Sequence, residues 1–164
     1  MQFKDFLEIP RAYAQLLFLN QALVGLILIG TSLCYPNIGF SGLYAAIVAF
    51  LIARFYKFTQ SNYRTQIFNS LLVGLSLGAF YQIDMMLLAL ITLAATFTVV
   101  LTETLSDYLK KLYALPALNL PFILVALLMI NVARNYPSFK YNLELSEPPA
   151  AWFGGSLDIF FNTL

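Results

Sequence analysis

"YALPALNLPF", residues 113–122, interrupts an apolar run with two prolines, Pro116 and Pro121, and sets one amide, Asn119, between them. Proline lacks the N–H that would bond the carbonyl four residues back. Pro116 therefore takes a helical partner from the carbonyl of Leu112, and Pro121 does the same to that of Ala117. Two readings are open. In one, the backbone is broken at membrane depth and lines a wet path, because an unmet polar group cannot face lipid. In the other, Pro121 simply begins a helix and Asn119 caps it.

Membrane depth follows from composition. The 164 residues are 60% hydrophobic and 10% charged, with a mean hydropathy of +0.78, whereas soluble domains carry about 25% charged residues. The chain reads as an integral, all-α, polytopic membrane protein. A net charge of +1, with no basic cluster longer than Lys110-Lys111, gives no footprint for nucleic acid. Cys34, the only cysteine, excludes an intrachain disulfide and a multi-cysteine metal site, and is expected to be a buried thiol. The absence of histidine removes the usual proton shuttle and the commonest metal ligand. With no Ser/His/Asp set, phosphate loop or carboxylate pair, no enzyme, cofactor or metal is expected. At the N-terminus, "MQFKDFLEIPRAYAQ" carries Asp5 and Glu8, and no small-residue cleavage site follows, so it is expected to be retained rather than removed as a signal peptide.

Five apolar segments stand out, at 16–34, 38–56, 67–81, 83–102 and 112–133. A spanning helix needs about 20 apolar residues. The third segment is short, with Asn69, Gly74 and Gly78; it either spans with little tilt or reaches partway as a re-entrant helix beside about five transmembrane helices. Lys4, Arg11, Arg54, Lys57, Arg64, Lys110 and Lys111 all fall on one side if the N-terminus is cytoplasmic. Arg134 and Lys140 then lie outside. Residues 135–151 read as an external linker. The tail 152–164 resembles the first span again: "AQLLFLN" at 14–20 superposes on "LDIFFNT" at 157–163, with Gln15 over Asp158 and Phe18 over Phe161, although a shift of one residue pairs Phe18 and Asn20 with Phe160 and Asn162. Odd spans followed by a restart mark an inverted repeat. Residues 1–134 are then one repeat and 152–164 the truncated start of a second, in a protein roughly twice this long; the alternative for the tail is a short amphipathic anchor.

Charges inside the segments are nearly absent, with Asp84 and Glu103 expected at wet span ends, which argues against ion coupling. The interior groups are neutral, among them Asn20, Asn69, Ser70, Thr98 and Asn119. Phe68 and Leu72, four apart on a helix, either form a narrow apolar slot or pack against lipid and neighbouring helices.

These residues carry a resemblance. "LPALNLPF" at 115–122 is similar to the "LPALTLPF" signature of the urea transporter family. "FNSLLVGLSL" at 68–77 resembles its "FNGxLVGLAL" segment, and "QLLFLNQALVGLILIG" at 15–30 its "QVxFxNNPLSGLLILxG". The three occur in the family's order and cover one of two inverted repeats. The resemblance implies a passive, channel-like conduit in the plasma (cell inner) membrane, usually a homotrimer with one pore per protomer. It implies that Gln15 lies at the pore mouth with Phe18 nearby, that Phe68 and Leu72 wall a slot, that Asn119 stands at a pore-lining threonine, and that Asp158 takes the place of the second-half acid. Three departures accompany it. Asn119 is bulkier than threonine, Asp158 is shorter than glutamate, and "RTQI" at 64–67 replaces "GLYG", bringing Arg64 close to the slot. Ammonia, formamide-like amides or water join urea as candidate solutes. The expected function is permeation of urea or a similar small neutral amide; the alternative is a solute-binding membrane sensor or scaffold that does not conduct.

Overall fold

The computed structural model describes residues 7–56, 63–113 and 118–140. In chain order they form α1 (Glu8–Ala14), a 3-10 turn (Gln15–Leu17), α2 (Ala22–Ser32), α3 (Pro36–Phe55), α4 (Tyr63–Phe80), α5 (Met85–Tyr113) and α6 (Leu120–Arg134). The protein is an all-α polytopic membrane protein. By length and apolar composition, α3 and α5 suffice to cross a bilayer, and α1 and α2 together make a third crossing if the bent pair is one span.

The first segment, expected to be continuous, is broken. The expected continuous span 16–34 is divided, with α1 and its 3-10 extension meeting α2 at 80°. Gly25 permits this fold-back: a Cβ there would lie 1.6 Å from the carbonyl oxygen of Pro10. The corner is closed by the N–H of Phe18 donating to the Gln15 carbonyl at 3.0 Å and that of Leu19 to the Ala14 carbonyl at 3.0 Å. This pair of bonds is the Schellman pattern, which needs a left-handed residue. Here that residue is Phe18, with φ 57°.

Segment 67–81, the expected candidate for a partial crossing, is one unbroken helix as far as Phe80, within an element of 18 residues. Its polar residues keep it out of the apolar class. They are buried against neighbours instead: Gln66, Asn69 and Ser70 are fully buried. The α3–α4 contact is built from small residues. A Cβ on Gly74 would come within 2.5 Å of the Ala45 Cβ and the Ser41 carbonyl, and one on Gly78 within 2.6 Å of the Ser41 side chain. Lipid gives helices no hydrophobic reason to associate, so close backbone approach supplies the attraction.

α5 runs well past the expected end at 102, because Thr104, Leu105, Ser106 and the following charged residues continue the helix without a breaker. Thr92, Thr98 and Thr102 each return the hydroxyl to the carbonyl four residues earlier, at 2.7–2.8 Å, so they meet their polar needs within the helix. Glu103, expected at a wet end, is 8% exposed and accepts from Gln66 Nε2 at 2.6 Å. Cys34, expected to be buried, is exposed in the short turn between α2 and α3. Segment 112–133 is likewise two elements, the end of α5 and all of α6. Beyond α6, the N–H of Gln82 donates to the Lys140 carbonyl at 2.9 Å and Phe139 packs edge-on against Tyr81, so the chain folds back onto the α4–α5 turn. Residues 141–164, Pro116 and Ala117 lie outside the described residues, and with them the tail repeat, most of the linker and Asp158.

Candidate functional site

Two of the places where the chain leaves regular helix line one cavity. One is the corner after Gln15–Leu17, the other the turn at Leu118–Asn119 before α6. Each contains a left-handed residue without glycine: Phe18 at φ 57° and Leu118 at φ 44°. Such a residue costs about 1–2 kcal/mol, so the surrounding structure must hold it. At the second corner Asn69 does so. Its Nδ2 donates to the Leu118 carbonyl at 3.1 Å and makes a longer contact of 3.4 Å to Thr102 Oγ1. Pro121 sits in the first turn of α6, where its missing N–H would have had no partner in any case. The helix-start reading of Pro121 therefore holds. Asn119 occupies the capping position, yet its side chain makes no capping bond.

Between the corners and α4 lies a cavity of about 940 Å³. Of the six residues expected at the site, Gln15, Phe18, Phe68, Leu72 and Asn119 all line it; Asp158 lies outside the described residues. Phe68 and Leu72 are one helical turn apart on α4, which puts ring and branched side chain on one face. Gln66, on the face turned away, and Asn69, on the flank between, are both buried. One helix thus supplies an apolar wall to the cavity and polar anchors beside and behind it.

The polar groups around the cavity are mostly neutral. Gln15 Oε1 is buried and has no hydrogen-bond partner, an acceptor whose demand is unmet by the protein. Asn20 lines the cavity too, but its Oδ1 accepts from Arg64 Nη1 at 2.6 Å. The Arg64 Nε donates to Glu8 Oε2 at 3.0 Å, and the other oxygen of Glu8 accepts from Arg11 Nη1 at 2.8 Å. Arg64 lines the cavity, as its replacement of a glycine-rich stretch led one to expect.

The geometry adds Asn69 to the residues picked from sequence. It stands beside Phe68 in the same motif, but nothing in a single sequence says that its amide reaches a backbone carbonyl 49 positions away. Leu118 was hidden for another reason: no glycine advertises its left-handed backbone.

A family model described as "Urea transporter" matches residues 6–156. The chain belongs to the urea transporter family. No curated protein matches it. The family match runs through all three motifs and through both corners of the cavity. As a urea transporter, the protein is an integral membrane transport protein, and its cavity is lined by aliphatic and aromatic side chains together with Arg64, Thr65 and the amides of Gln15, Asn20 and Asn119.

Proposed function

We propose that this urea transporter passes urea, or a similar small neutral amide, passively through the cavity between its two corners. Gln15, Phe18, Phe68, Leu72 and Asn119 are the residues proposed to touch the solute. Urea entering an apolar slot loses water from four N–H donors and a carbonyl. Amide groups in the wall return those hydrogen bonds, and the rings and leucine side chains between them accept a flat neutral molecule while offering nothing to a hydrated ion. The observation that carries the reading is the unpartnered acceptor Gln15 Oε1 in a residue lining the same cavity as Phe68 and Leu72.

The cavity is open at its rim, where Phe18 is 98% exposed and Leu118 68%. We take the missing wall to be an inverted second half of the same fold, with three such pores in a trimer, as the family resemblance implies. The distribution of lysine and arginine supports a cytoplasmic N-terminus in the plasma membrane.

Proteoliposomes given an inward urea gradient test the function. The expected result is shrinkage followed by re-swelling much faster than in protein-free vesicles. Urea binding without accelerated re-swelling would instead support a non-conducting sensor, and absence of both would overturn the reading.

A further inference from the structure

Arg64 has a setting that solute permeation alone does not account for. It occupies the first turn of α4, the positive end of the helix dipole, where a cation is mildly unfavourable to the helix. Its guanidinium is nevertheless fixed at two points, by Glu8 at 3.0 Å and Asn20 at 2.6 Å, and its side chain remains 31% exposed. Glu8 is shared with Arg11, so two cations meet one carboxylate and the cluster keeps a net positive charge. Asn20 and Arg64 both line the cavity. A guanidinium held by two partners cannot swing away when a solute approaches.

We propose that Arg64, anchored by Glu8 and Asn20, forms a fixed positive wall that makes this cavity select against cations of urea's size, such as guanidinium and ammonium, while admitting neutral amides. Guanidinium has the shape and donors of urea, so apolar walls and amides alone separate the two only through desolvation. A fixed charge adds direct repulsion, which at this partly exposed rim is weakened by salt. This inference rests on the transport reading for its consequence, but the charge of the wall can be measured without any flux.

The test places a thiol beside the cluster. Leu19 lines the cavity and is 43% exposed, so Leu19→Cys in a Cys34→Ser background gives one reporter in the detergent-solubilised full chain. Its rates of modification by a sulfonate-bearing and a quaternary-ammonium-bearing thiosulfonate are each divided by those of a free small thiol. The expected result is preference for the anionic reagent, with the ratio falling by roughly tenfold in Arg64→Gln, surviving in Arg64→Lys and rising in Glu8→Gln. An unchanged ratio in folded Arg64→Gln overturns the inference. Should that variant not fold, the reporter protein decides: an anionic preference that collapses as salt is raised supports a charged wall, and no preference, or one insensitive to salt, overturns it. In proteoliposomes, guanidinium entry relative to urea is expected to rise in Arg64→Gln; no rise overturns the selectivity. A protein without urea flux that still shows the Arg64-dependent ratio keeps the charged wall and defeats the transport reading alone.

Discussion

Phe18 holds a backbone conformation that favours glycine, while its ring packs against almost nothing within the chain. Phe18→Gly should therefore stabilise the isolated fold. Relief of about 1–2 kcal/mol of left-handed strain outweighs the extra unfolded-state freedom of glycine, about 0.4–1 kcal/mol. Thermal unfolding in detergent checks this: the midpoint is expected to rise, while discrimination between urea and larger amides in vesicles falls. Gln15→Leu separates function from stability in a second way. It removes an acceptor that has no partner, so the fold should lose little. Urea flux should drop roughly tenfold, the value of one hydrogen bond to a neutral solute. A variant with unchanged flux would remove Gln15 from the path.

At the scale of elements, the corners depend on helices that do not themselves bend. Asn69 on α4 pins Leu118 ahead of α6. Asn69→Leu leaves that carbonyl without its donor, at a cost of about 1–3 kcal/mol, and urea flux should fall further than the loss of folded protein explains. Size-exclusion recovery and stopped-flow light scattering on the same preparation separate the two. The α3–α4 seam is stricter. Gly74→Val puts side-chain atoms where Ala45 and the Ser41 backbone already lie, and overpacking of this kind costs about 1–3 kcal/mol or more. The expected outcome is a lowered unfolding midpoint, whereas Gly30→Ala, with nothing within 4 Å of its added Cβ and a helical backbone that alanine favours, should not lower it.

Over the whole molecule, the sequence was most legible where residue type carries the meaning. Gln15, Phe18, Phe68, Leu72 and Asn119 lie far apart in the chain, yet they share one cavity because the motifs that contain them mark the two corners and the helix between. Hydropathy was a poorer guide to geometry. It averages over a window, so 16–34 looks continuous although Phe18 turns the chain through 80°. Glu103 was misplaced for a related reason: polar residues end an apolar segment without ending a helix, and α5 carries the carboxylate into its contact with Gln66. Pro121 could be read either as a break or as a start, and only the position of α6 decides between them.

The central claim is that the space between the two corners is the route of the solute. Leu72→Trp fills it from the α4 wall. Stopped-flow urea re-swelling of proteoliposomes, with matched amounts of folded protein, measures the consequence. The account predicts fast urea entry for the parent and entry near the protein-free rate for Leu72→Trp; equal, rapid entry in both would contradict it.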